Sequence, residues 1–292
     1  MSSSKTLQSV FLVTLVVIGL VYVVLQQPIQ VTFLNMAQDN PPDIDNNHTT
    51  TSVINDTFRD IQISTVGVQQ EVPTREILPS NPGLPECPTI PPHLVGRLKV
   101  LLEVRNWKDI EKDIVVMDGG EYIPQECEAK DSVAIIVPFR KRKNHLKIFL
   151  NYIHPILKRQ NIHYRVFVVS QDDEEMFNRA MLFNVGFIEA LKFSSWDCFI
   201  FHDVDLLPED DRNIYSCPEM PRHMSVAVDK FKYNLPYKDL FGGVSALSKE
   251  HFQLVNGFSN QFWGWGGEDD DMSRRLRDNK LKISRYKKDI AR

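Results

Sequence analysis

Residues 262–271 run Phe262-Trp263-Gly264-Trp265-Gly266-Gly267-Glu268-Asp269-Asp270-Asp271, four consecutive carboxylates directly behind two tryptophans and three glycines. That composition suits a sugar. A tryptophan face buries the apolar face of a pyranose, glycines let the backbone come close, and a carboxylate accepts hydrogen bonds from hydroxyls or takes a proton from one. Part of the pattern also suits a helix start, where a glycine loop leads into an acidic first turn favoured by the helix dipole. Capping alone needs one or two acids and neither tryptophan.

A further pair of carboxylates stands at Asp203-Val204-Asp205, just behind the apolar run Cys198-Phe199-Ile200-Phe201 and His202. Alternate residues of a strand face opposite ways, so the two converge only if the chain turns, and Leu206-Leu207-Pro208 suggests that it does. Hard oxygen ligands with open positions suit Mg2+ or Mn2+, ions held by one or two carboxylates together with substrate phosphates. A lone Asp-x-Asp is otherwise a solvated or structural feature; the strand end favours the metal. Arg140, Lys141, Arg142 and Lys143 carry the charge a diphosphate requires, with a solvated basic helix start as the alternative for Lys141 and Lys143. Phe177-Asn178-Arg179 is a weaker nucleotide contact. His202, single at a strand end, reads as a packing residue rather than a metal ligand.

These groups need a frame, and the pattern from Val133 onward supplies one. Val133 to Val137 is a continuous apolar run ending at Pro138, as a buried parallel strand should look. A helix is predicted across Asn144 to Arg159, a strand at Tyr164 to Val169, and a helix over Phe177 to Lys192, where Ala180, Leu182, Val185, Ile188 and Leu191 have helical spacing. The short strand Cys198 to Phe201 follows. Strands alternating with helices imply an open α/β sheet whose ligands bind at the C-terminal strand ends, where both Pro138-Phe139-Arg140 and Asp203-Val204-Asp205 fall. There is no internal repeat, no Walker-type loop and no strand-linked G-x-G-x-x-G, so a phosphate-bearing ligand must be neutralised in another way.

The chain has 292 residues, net charge −4 and 42% hydrophobic content, enough for one sizeable core. Its lysines and arginines are scattered and its net charge is negative, which excludes a nucleic-acid binder. Ser9 to Leu25 carries no charge, Lys5 precedes it, and no Lys or Arg follows until Arg59. The expected organisation is therefore a cytoplasmic tail at 1–8, a transmembrane signal-anchor at 9–25, a lumenal stem without a fold of its own at 26–83, and a catalytic domain at 84–292. A cleaved signal peptide is the competing reading, although Leu25-Gln26-Gln27-Pro28 is a poor cleavage site. Asn47 and Asn55 begin glycosylation sequons that make sense on the lumenal side. Four cysteines in an oxidising lumen would pair in one of three ways; Cys87 with Cys127 and Cys198 with Cys217 are favoured because each pair brackets a short segment, with buried free thiols as the alternative.

Val133 to Arg292 resembles the β-1,4-galactosyltransferase family of Golgi enzymes, through Pro138-Phe139-Arg140, Phe177-Asn178-Arg179-Ala180, Asn184-Val185-Gly186-Phe187, Asp203-Val204-Asp205, Phe241-Gly242-Gly243-Val244-Ser245 and the Trp263 to Asp271 motif. The resemblance implies a nucleotide-diphospho-sugar transferase (GT-A type) fold with one Rossmann-like mixed sheet, on a single-pass type II Golgi membrane protein. It implies an inverting reaction between a UDP-sugar donor and a GlcNAc-terminated acceptor. Pro138, Phe139, Arg140, Arg142, Phe177, Arg179, Asp203, Lys230 and Gly243 would belong to the substrate site, most of them around the uridine diphosphate, and Asp205 would ligate Mn2+. Asp269 matches the family's catalytic base; Glu268 and Trp265 would engage donor and acceptor, and Asp270 the acceptor N-acetylglucosamine. The resemblance implies the same disulfide pairing.

The residue before Phe241-Gly242-Gly243 is Tyr in the family's galactosyl-transferring members and aliphatic in relatives that transfer N-acetylgalactosamine. Here it is Leu240. Leucine leaves room for a 2-acetamido group and gives its methyl an apolar neighbour, which tilts the expectation to UDP-GalNAc over UDP-Gal. The family carries a Met-x-x-His metal motif and a mobile loop shortly beyond the position of Arg292, where this sequence stops. The resemblance therefore implies a C-terminally incomplete catalytic domain. The alternative from another class is a silent lumenal binder of sugar nucleotide or glycan.

Overall fold

The computed structural model describes residues 83–292 except 118, together with the backbone of 29–33, 51–52 and 63–64. The expected membrane segment and both glycosylation acceptors, Asn47 and Asn55, lie outside the described residues. Among the described residues no helix is long and apolar enough to cross a membrane.

In chain order the elements are β1 Ile29–Phe33, β2 Thr51–Ser52, β3 Ile63–Ser64, α1 Trp107–Asp113, β4 Glu121–Tyr122, β5 Ser132–Phe139, α2 Lys143–Arg159, β6 His163–Gln171, α3 Arg179–Ala190, β7 Cys198–His202, β8 Arg222–His223, β9 Val244–Ser248, α4 Lys249–Leu254 and α5 Glu268–Asp278. They form one mixed sheet in the order β2-β3-β1-β6-β5-β7-β9-β8, with β4 also paired to β6. Strand β5 lies parallel to both β6 and β7, while β9 runs antiparallel to β7, and β8 antiparallel to β9.

The apolar run of β5 makes it the centre of the sheet, buried along all but its first residue. Its side chains alternate between two cores. Ala134 and Ile136 face the cluster built with α3, α4 and α5, and Val133, Ile135 and Val137 face the cluster built with Leu146, Phe149, Leu150, Ile153 and Leu157 of α2. Helix α3 is shorter than the predicted Phe177–Lys192 because Asn178 leaves helical geometry and caps it, its side chain accepting from the Met181 amide at 2.9 Å.

Both favoured disulfides are formed, Cys87–Cys127 and Cys198–Cys217. The expectation of a stem with no secondary structure needs correction at β1, which runs antiparallel to β6 with Val31 opposite Gln171. Ile-Gln-Val-Thr-Phe alternates apolar and polar residues, the pattern that an open sheet edge accepts as an added strand.

Register carries the rest. His202 at the end of β7 sits opposite Val244, and the Asp203 amide donates to the Gly243 carbonyl at 3.1 Å, so Asp203-Val204-Asp205 and Phe241-Gly242-Gly243 meet at one end of the sheet. Helix α3 approaches that sheet closely at Gly186, where an added Cβ would stand 2.2 Å from Ile136 Cγ2 and 2.9 Å from Val169 Cγ2. Replacing Gly186 by alanine would gain about 1 kcal/mol of helix propensity and lose about 1–3 kcal/mol to overpacking. We therefore expect Gly186→Ala to lower stability in urea unfolding; an unchanged or higher midpoint would mean that helix and sheet separate freely.

Candidate active site

Arg179, the first residue of α3, ties the site together. Its Nε donates to Asp203 Oδ1 at 2.5 Å, its Nη1 to Glu268 Oε1 at 3.2 Å, and its Nη2 to the Gly243 carbonyl at 3.2 Å. The guanidinium also lies 4.5 Å from the centroid of the Phe183 ring. Burial works against the charge, but Asp203, Glu268 and Asp269 outweigh it and raise the Arg179 pKa. One cation thus joins the end of β7, the entry to β9 and the start of α5.

The four acids of α5 divide by environment. Gly267 caps the helix with φ +95°, and Phe262 ring carbon Cε1 would stand 2.8 Å from a Cβ there, so the turn admits glycine alone. Glu268 is buried against Arg179, and its Oε2 has no hydrogen-bond partner among the described residues. Asp271 pairs with Arg275 one turn on, at 2.6 Å. Asp269 accepts from the Asp270 amide at 2.9 Å and rests on Gly242, where an added Cβ would meet its Oδ2 at 2.3 Å. Asp270 accepts from the Tyr237 hydroxyl at 2.8 Å; burial and that hydrogen bond raise the Tyr237 pKa.

Trp265 is 95% exposed, an apolar platform beside this carboxylate row, with the Lys230 ammonium 5.9 Å from its ring centroid. Its loop is pinned by the Gly264 amide, which donates to the Phe177 carbonyl at 2.9 Å. The Arg140 guanidinium lies 5.3 Å from the Phe177 ring centroid and donates to the Glu175 carbonyl at 2.5 Å. Lys141 pairs with Glu174 at the surface, and Arg142 pairs with Asp205.

The structure brings Arg140, Arg142, Phe177, Arg179, Asp203, Asp205, Gly243, Glu268, Asp269 and Asp270 to the same end of the sheet through these contacts. The side chain of Phe139 belongs to the core on the α2 face, which leaves its backbone to face a ligand. Leu240 is half-buried and outside both core clusters. His202 is the packing residue its position suggested, fully buried between the Asp203 carbonyl and the Tyr215 hydroxyl, with burial pulling its pKa down to about 4.

Among the described residues no three ligands cluster as a metal cage. Asp205 offers one partly exposed carboxylate, which fits an ion completed by phosphates and water. Sequence reasoning missed Tyr237, which no spacing marked, and the contact of Gly242 with Asp269, for which the Gly-Gly pair was the available signal. Replacing Arg179 with methionine would leave Asp203 and Glu268 without their shared cation, so we expect a loss of about 3–5 kcal/mol in chemical denaturation. A loss below about 1 kcal/mol, the range of exposed pairs, would show that the bridge is solvated.

Residues 87–218 match the family model described as the N-terminal region of glycosyl transferase group 7, and residues 222–292 match that described as the N-terminal domain of galactosyltransferase. The chain is 50% identical over 220 residues to β-1,4-galactosyltransferase 2 of Cricetulus griseus, across 74% of this chain and 59% of that protein. It is 46% identical over 212 residues to β-1,4-galactosyltransferase 4 of Mus musculus, across 72% of this chain and 62% of that one. A crystal structure of the catalytic domain of Drosophila β1,4-galactosyltransferase 7 in complex with xylobiose is 41% identical, with a TM-score of 0.49 over 53% of this chain and 64% of that chain. The chain spans about three fifths of the length of these two curated relatives. With both models matched in order along 87–292 and about half the residues shared with its members, this chain belongs to the β-1,4-galactosyltransferase family.

Proposed function

We propose that the protein is an inverting glycosyltransferase that moves N-acetylgalactosamine from UDP-GalNAc, in β1-4 linkage, to a terminal N-acetylglucosamine. The observation that carries the reading is Asp269. It is held by the Asp270 amide and by Gly242 and, unlike Glu268 and Asp271, makes no ion pair among the described residues. Its carboxylate is therefore available to a hydroxyl.

The acceptor 4-hydroxyl hydrogen-bonds to Asp269 and gives it the proton as the oxygen attacks the anomeric carbon, on the face opposite the departing diphosphate. Attack on that face inverts the centre. Arg140 and Arg142 exchange their present partners for diphosphate oxygens. Asp205 would hold Mn2+ together with the substrate phosphates, and the bound ion would supply further neutralisation at the leaving group. Trp265 offers its face to the acceptor ring, Asp270 accepts from acceptor hydroxyls in an orientation fixed by Tyr237, and Glu268, turned inward, acts on the donor side through its ion pair with Arg179. Phe177, Lys230 and Gly243 complete the donor side.

Leu240 supports UDP-GalNAc by leaving space where a tyrosine would crowd the acetamido group; the names of the relatives favour UDP-Gal as the second reading. Residues 9–25 anchor the chain in the Golgi membrane, with the catalytic domain in the lumen.

Assay of the full chain with Mn2+, both donors and a GlcNAc acceptor is expected to give GalNAc transfer. Asp269→Asn should reduce kcat by about 10²–10⁴-fold with donor affinity retained. Donor binding without any product would favour the silent binder. Leu240→Tyr should cut GalNAc transfer by about tenfold or more while galactosyl transfer holds or rises; a ratio that does not move would remove Leu240 as the selector.

A further inference from the structure

Residues 232–243, which carry Leu240 into the site, form no helix or strand, so their position must be set by contacts from outside. Arg285 supplies them. Its Nη2 donates to the Lys238 carbonyl at 2.9 Å and the Leu240 carbonyl at 2.7 Å, and its Nε donates to His223 Nδ1 at 3.1 Å. A guanidinium only donates, so Nδ1 must accept, and the imidazole proton sits on Nε2. That nitrogen lies 3.0 Å from the Gly242 carbonyl, to which it donates. The carbonyls of 238, 240 and 242 are thereby held from one cation, two directly and one through an imidazole.

The brace is itself anchored in the sheet. His223 lies in β8 and is fully buried, its amide donating to the Ser284 carbonyl at 3.0 Å, while the Ser284 amide donates to the Pro221 carbonyl at 2.8 Å. The Ser225 hydroxyl adds a donor to the Gly242 carbonyl at 2.9 Å and accepts from the Val244 amide at 2.9 Å. Burial, with Arg285 nearby, pulls the His223 pKa down to about 3, so the ring stays a neutral relay. The other face of Gly242 is the seat of Asp269.

We propose that Arg285 and His223 are positioning residues of the transfer reaction, fixing the 238–242 loop and through it the room beside Leu240 and the seat of Asp269. The role in transfer rests on the function proposed above; the role in holding the loop does not. Arg285→Lys keeps the charge but loses the fork that reaches several acceptors at once, and Arg285→Met loses both. Hydrogen exchange on the full chain should show peptides spanning 236–243 exchanging about tenfold faster in both variants, the factor for one lost charged hydrogen bond, with β5 and β7 unchanged. In the same variants the GalNAc-to-Gal transfer ratio should fall several-fold, and donor KM should rise more than kcat falls.

Unchanged exchange at 236–243, or equal acceleration throughout the molecule, would overturn the brace. Faster loop exchange with an unaltered donor ratio would overturn its part in donor choice. A wild-type chain that transfers neither sugar would sink the function while exchange still decided the brace.

Discussion

A buried guanidinium between two carboxylates is the constraint on which the site end of this molecule depends. Arg179 cannot shed its proton, and partial burial strips away much of the water that would otherwise solvate it, so losing Asp203 or Glu268 would leave a poorly compensated charge in the folded state. Those carboxylates come from the end of β7 and the start of α5, segments with no local reason to meet. The third bond, to the Gly243 carbonyl, ties in the entry to β9. The loops of an α/β sheet carry its chemistry, and here they are organised around one charge.

The sheet delivers these segments because β5 is apolar on both faces. Such a strand is stable only with helices on each side, and its parallel neighbours then release their C-terminal ends to the same rim. The antiparallel β9 adds what a purely parallel sheet would lack: a chain entering, rather than leaving, at that rim. It brings Gly242 and Gly243 beside Asp203 and Asp269, and both glycines sit where a side chain would collide, with Asp269 at 242 and with Ser225 and Leu206 at 243.

The parts legible in sequence were those with local signals. A continuous apolar run marked β5, shorter apolar stretches marked β6 and β7, helical spacing marked α3, and the Trp-Gly-acid run marked the rim of the site. What escaped was set by distance along the chain. Arg179 and Glu268 are separated by 89 positions and His223 and Arg285 by 62, and neither pairing leaves a trace in the residues around it. The pairing of β1 with β6 escaped for another reason. A five-residue alternation inside a polar stretch is too weak a signal to read until the sheet edge that accepts it is known.

The acidic row at the start of α5 posed a choice between helix capping and sugar chemistry, and its geometry divides the residues by environment. Asp271 meets Arg275 on its own helix, as a charge in the first turn should. Glu268 is turned inward and spends one oxygen on Arg179. Asp269 and Asp270 face the loop 237–242, which offers them a hydroxyl and a glycine surface rather than cations, and Asp269 also accepts from the Asp270 amide. The same side-chain chemistry thus serves folding at both ends of the row and is left open to a ligand in its middle. The division follows from helical geometry. Consecutive residues point about 100° apart, so four acids in a row cannot all share one face, and whichever lies against the core must find a buried cation.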